Sequence, residues 1–224
     1  GLTRTPPRLY VGAIWPSSHP ALSPTRHMRY CYEQFRPRTY EDFRVGPVQV
    51  EGEPFWETLS RQGRRVAVID VPKARLAREL NGIQIADWGT HDPEYDGVRT
   101  YPESLAADIV REYGIDPVGK CDGGRRTAED YRAFRDAGLE RIQAKTELVL
   151  DILKRADWDC LLAVFADSHC IGHQCWHLHA PAHPRHDSAI VLALGEPMKD
   201  VYRALDAAIG RILFTRMPSR PHSR

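Results

Sequence analysis

The run Cys160-Leu161-Leu162-Ala163-Val164-Phe165-Ala166 constrains this chain more than any other stretch. A short apolar run bounded by polar residues reads as a buried strand of a parallel sheet. The residues that follow, Asp167-Ser168-His169-Cys170-Ile171-Gly172-His173-Gln174, fall just past the carboxyl end of that strand. In open α/β sheets this is where ligands sit. Six of the ten histidines lie between His169 and His186, so imidazole is concentrated where a site is expected. A carboxylate with neutral imidazole nitrogens suits zinc or another divalent first-row metal. A plainer reading stands beside it: Asp167 as a helix N-cap, the histidines as surface groups or backbone partners. No Cys-x-x-Cys signature decides between the two.

The remaining elements follow an α/β rhythm. Phe55 to Gln62 patterns as an amphipathic helix closed by Gly63, and Val66 to Val71 as a β-branched core strand stopped by Pro72. Lys73 to Leu80 reads as helical, Asn81-Gly82 as a turn, and Ile83 to Trp88 as an alternating strand. A helix is expected from Pro102 to Tyr113. Thr127-Ala128-Glu129-Asp130 has the form of a capping box opening the longest helix, which reaches about Ala156. Val201, Leu205, Ala208, Ile209 and Ile212 form the stripe of a last helix over 200–214. Alternating helices and strands predict a doubly wound, mostly parallel α/β sheet with helices on both faces. Residues 1–224 read as one such domain, with an irregular N-terminal region at 9–53 and a disordered tail at 215–224.

Bulk properties narrow the function classes. The chain has 224 residues and a formal net charge of +1, which points away from a nucleic-acid polymer and from an anionic membrane. There is no apolar run of about 18 residues and no signal-peptide pattern. Five cysteines at irregular spacing (Cys31, Cys121, Cys160, Cys170, Cys175) read as reduced thiols in a cytoplasmic setting, with Cys170 and Cys175 as soft metal ligands a minor alternative. The first residue is Gly1 and an opening strand is hard to find, so a fragment or processed form is expected.

Several stretches together carry a family likeness. They are Trp15-Pro16-Ser17 with Ser23-Pro24-Thr25-Arg26-His27, Pro54 to Leu59 with Gly63 to Pro72, Asn81-Gly82 to Trp88 with His91-Asp92-Pro93, and Phe165-Ala166-Asp167 to His177. As a set they resemble the alkaline phosphatase superfamily, and within it the type I phosphodiesterase/nucleotide pyrophosphatase group. That resemblance implies metal-dependent hydrolysis of a small phosphate ester, a phosphodiester or nucleotide. Two zinc ions would neutralise charge around an in-line displacement on a Thr or Ser hydroxyl. It implies Asp167 and His173 as ligands of the leaving-group metal, with His169 a substitute ligand or a donor supporting one from behind. His177 reads mainly as packing. His183, His186 and Asp187 belong to the region that approaches substrate in that family.

The likeness is partial. The Asp-x5-His spacing exceeds the family's usual one, and its upstream Leu-Asp-Gly-like turn and downstream Asp-His-Gly pair are not found. Counting back from His27 puts the nucleophile near Val11, which has no hydroxyl; Thr5 and Ser17 lie nearby but out of register. The expectation is therefore half of a bimetallic site, holding one zinc at most. The alternative is a non-catalytic binding domain that keeps the fold and at most one metal. The Gly-rich Cys121 to Arg126 segment lacks the P-loop Lys-Ser/Thr pair and reads as a loop.

Overall fold

A computed structural model describes residues 11–31, 33–44, 52–124 and 127–215. Thr5 and the basic tail after Thr215 lie outside the described residues. The N-terminal region carries helices α1 (Val11–Ser18) and α2 (Pro24–His27), then a two-stranded antiparallel ribbon of β1 (Glu33–Phe35) and β2 (Asp42–Arg44). Helix α3 (Phe55–Arg61) leads into β3 (Val66–Ile69), β4 (Gly82–Ala86) and β5 (Arg99–Tyr101). Then come α4 (Leu105–Tyr113), α5 (Ala128–Arg155), β6 (Cys160–Ala163), α6 (Asp167–His179), α7 (Ser188–Leu194) and α8 (Pro197–Thr215).

The main sheet has the order β5-β4-β3-β6. Strand β3 pairs in parallel with both β4 and β6, while β5 joins β4 antiparallel, so the sheet is mixed. All four residues of β3 are at most 1% exposed, and alternation sends them to opposite faces. Ala67 and Ile69 pack with Leu105 and Ile109 of α4 and Leu148, Val149 and Ile152 of α5. Val66 and Val68 pack with Trp56 of α3 and with Val71, Ala74, Ala77 and Leu80. A third cluster joins Tyr131, Phe134 and Ile142 of α5 to Ile171, Cys175 and Leu178 of α6 and Val201 and Ala208 of α8. Helix α5 thus serves two cores. At 28 residues it is about 42 Å long, enough to back the sheet at one end and α6 at the other.

The capping box forms: the Asp130 backbone N–H donates to Thr127 Oγ1 at 3.1 Å, and the Thr127 N–H to the Asp130 carboxylate at 2.9 Å. Three readings need correction. Residues 73–80 are not helical; the Gln84 side chain accepts from the Ala77 N–H and donates to the Arg75 carbonyl, holding the segment as an irregular strap that buries Ala74, Ala77 and Leu80. Strand β6 is an edge of the described sheet with all four residues half-buried, because a neighbour covers only one side. The proline-broken stretch after His179 includes an unexpected helix, α7, whose first N–H groups donate to Asp187 Oδ1.

Candidate metal centre

Two cations on α5 build the floor of the site. Arg141 and Lys145 are one turn apart, so both reach the carboxyl ends of the parallel strands. The Lys145 ammonium is fully buried and donates to Asp70 Oδ2 at 2.6 Å and to the carbonyls of Gly89 and Val164 at 3.1 and 3.0 Å. Asp70, the first residue after β3, has a left-handed backbone with φ 51° and also accepts the N–H groups of Trp88 and Gly89. One ion pair thereby ties together the ends of β3, β4 and β6. Gly89 must lack a side chain here, since a Cβ would stand 2.9 Å from Arg141 Cδ and 3.3 Å from Lys145 Nζ.

Arg141 performs the same service for α6. Its Nε donates to Asp167 Oδ1 at 2.8 Å, its Nη1 to Asp116 at 3.3 Å, and its Nη2 approaches Cys170 Sγ at 3.6 Å. Asp167 is 2% exposed, and its Oδ2 is buried with no partner. Burial pushes its carboxyl up, and the charges of Arg141 and Lys145 oppose that rise.

The ligand-type side chains gather on the outer side of this floor. Helix α6 presents His169 and His173 on one face, with ring centroids 4.4 Å apart. His91, in the loop after β4, lies 4.2 Å from His169 and 6.2 Å from His173 by ring centroid. Its Nδ1 is 3.7 Å from Cys170 Sγ and lies against the Cys121 thiol. The ligand atoms of His91, Cys121 and Cys170 all fall within 4.8 Å of one another. A hydrogen bond from the Cys121 thiol, then His91 and Arg141, holds the Cys170 thiol well below its usual range, against the opposing effect of burial. The same bond, with burial, pushes Cys121 up. Hydrogen bonding to the Cys170 sulfur raises His91, while burial and then the neighbouring imidazoles lower His169. His91 and Cys121 both line an open cleft of about 730 Å³, walled by Asp87, Thr90, Lys120 and Asp122.

The sequence-read pair occupies two neighbourhoods. Six positions along a helix are about 9 Å of rise and about 240° of turn, so Asp167 and His173 leave α6 on different sides. Asp167 meets Arg141, and His173 meets His169 and His91. Ser17 donates to the Ala13 carbonyl at 2.7 Å and lies 2.9 Å from His27 Nε2. Because His27 Nδ1 accepts the Arg29 N–H, Nε2 carries the proton, and this histidine does not serve as a base toward Ser17. His91 and Cys121 were missed as possible ligands: they lie 79 and 49 residues from Cys170, with no local spacing to join them. Arg141 and Lys145 did leave a signal, as two cations at i, i+4 beside the apolar stripe of Ile142, Thr146 and Val149.

Fold and site together define an α/β domain with imidazole and thiol donors gathered at the carboxyl ends of its parallel strands. The family described as type I phosphodiesterase/nucleotide pyrophosphatase matches residues 17–215, and the chain belongs to that family. No curated protein and no solved structure matches the chain. Membership brings the alkaline phosphatase-like α/β fold, phosphoric ester chemistry and divalent-metal dependence as family traits. The donors fit such an ion: imidazole and thiol groups suit first-row metals, and on the Arg141 side of α6 the buried Oδ2 of Asp167 has no partner. No helix among the described residues is long and apolar enough to cross a membrane.

Proposed function

We propose that the chain is a metal-dependent phosphoric ester hydrolase relative acting on small phosphodiesters or nucleotides, with an incomplete bimetallic site that holds one zinc at most. The observation that carries the reading is the packing of His169 and His173 against His91, beside the cleft. His173, with His169 one turn before it, supplies imidazole ligands. A zinc ion held there would act as a Lewis acid on a phosphoryl oxygen. The cleft wall carries Lys120 and Arg44 among Asp87, Asp92, Asp96, Asp116 and Asp122, so a phosphate group entering it relies on the metal ion to balance its charge. Asp167 belongs to the proposal either as a ligand through its unpartnered Oδ2 or as the brace that fixes Arg141 beneath α6. We read the family's doubly wound arrangement into the sheet because helices and straps cover both its faces. The five irregularly spaced cysteines, read as reduced thiols, suit a cytoplasmic protein, and the near-neutral charge suits a small substrate rather than a nucleic-acid polymer or a membrane.

The test joins metal analysis with hydrolysis of bis-p-nitrophenyl phosphate. One zinc per chain is expected, lost in His91→Ala, with at most slow zinc-dependent turnover. Full zinc in Asp167→Ala removes that residue from the ligand set. A second reading, a binding domain without catalysis, is favoured by the commitment of Ser17 to Ala13 and His27. Zinc and nucleotide binding with no turnover selects it; a chain that binds no zinc overturns both.

A further inference from the structure

We infer that His91, Cys121 and Cys170 bind zinc as a Cys2His set, leaving one coordination position open to the cleft. This rests on the metal reading above and gives the ion a different ligand set from the carboxylate and imidazoles that the family resemblance implies.

The geometry is close to what zinc requires. Zinc–sulfur bonds of about 2.3 Å and zinc–nitrogen bonds of about 2.0–2.1 Å make the S···N edge of a tetrahedron about 3.6 Å. Cys170 Sγ and His91 Nδ1 stand 3.7 Å apart, and the three donor atoms lie within a 4.8 Å span. The ring and thiol of His91 and Cys121, now hydrogen-bonded, need only part to admit the ion. Three separate segments bring these donors together: the loop after β4, the loop after α4 and the first turn of α6. Helix α6 is fixed by Arg141, which holds Asp167 and Cys170 at once.

Burial and softness add two further arguments. Cys121 and Cys170 are 5% and 2% exposed, so both residues are largely shielded from bulk solvent, and His91 and Cys121 form the side of the set that meets the cleft. Thiolates are soft ligands that select zinc over magnesium, manganese or calcium. Coordination to the ion displaces any proton remaining on each sulfur, and that proton passes to solvent. The position left open falls to water, to a phosphoryl oxygen from the cleft, or to His169, whose ring neighbours that of His91. Three protein ligands and an open fourth is the pattern of a catalytic rather than a purely structural zinc.

The full chain, purified under reducing conditions and loaded with zinc alone or cobalt(II) alone, tests this. X-ray absorption at the zinc edge should show sulfur scatterers at about 2.3 Å, and the cobalt form should show sulfur-to-cobalt charge-transfer absorption. Cys121→Ser and Cys170→Ser should each weaken that band and lower zinc affinity at least about tenfold, the double variant should lose the band altogether, and Cys31→Ser should change neither. An edge spectrum with only nitrogen and oxygen scatterers overturns the inference. So does loss of zinc in His173→Ala while both cysteine variants keep it, and the imidazole reading then stands. Sulfur scattering without phosphodiester turnover keeps the Cys2His site and defeats the hydrolase reading instead.

Discussion

The two halves of α6 use the same residue type for opposite ends. In the first half, His169 and His173 turn toward His91 of another segment, and Cys170 meets Cys121 and Arg141. In the second half the imidazoles make ordinary structural contacts. His177 Nε2 lies 3.2 Å from the Tyr131 hydroxyl and the His177 carbonyl meets His186 Nδ1 of the following loop, while His179 pairs with Glu196 at the surface. Histidine density therefore does not mark a site by itself. What separates the halves is a second segment bearing complementary donors and a cation layer that fixes both. Imidazole gains metal affinity from convergence, and convergence is a tertiary property.

The largest break in the comparison comes from metal. His91→Ala should lower zinc affinity by about 100-fold or more, while His177→Ala should leave it unchanged, both read by competition with a zinc chelator. Equal losses would mean that the two halves share one site. Next comes the brace: Arg141→Met leaves Asp167 buried and unpaired, and should cost about 3–5 kcal/mol in urea unfolding. A cost below about 1 kcal/mol would show that the floor does not hold the first half.

A buried imidazole outside both halves calibrates the scale. His19 is 3% exposed, packs on Trp56, and has an Nε2 without a partner; burial lowers its pKa to about 4. The folded state therefore keeps it neutral while the unfolded chain takes up a proton below 6.5. Its stabilising contribution is full above pH 6.5 and is lost as pH falls toward 4, about 3 kcal/mol in all. His19→Phe should flatten that slope in pH-dependent unfolding, and an unchanged slope would assign it to another group. The smallest effect belongs to the second half: Tyr131→Phe removes one hydrogen bond to His177, costs about 1 kcal/mol, and leaves zinc content untouched. Loss of zinc in that variant would extend the site along the helix.

Much of the scaffold was legible in the residues themselves. The β-branched run at Val66, the capping box at Thr127 and the stripe along α8 act over a few positions, and local sterics and hydrogen bonding settle them. Family membership was legible for a similar reason, as a set of short motifs in a fixed order. The strap at 73–80 was not, because it depends on the side chain of Gln84 reaching back to Arg75 and Ala77.

The sequence by itself determined that histidine and a carboxylate stand just past a strand end, where an α/β sheet places its ligands. Only the tertiary structure decided which of them meet. It paired Asp167 with Arg141, gathered His91 with His169 and His173, and set Cys121 beside Cys170 across 49 residues of chain. The physical reason is range: a helix fixes the direction of each of its side chains, but it has no control over which partner another strand or loop delivers to that face.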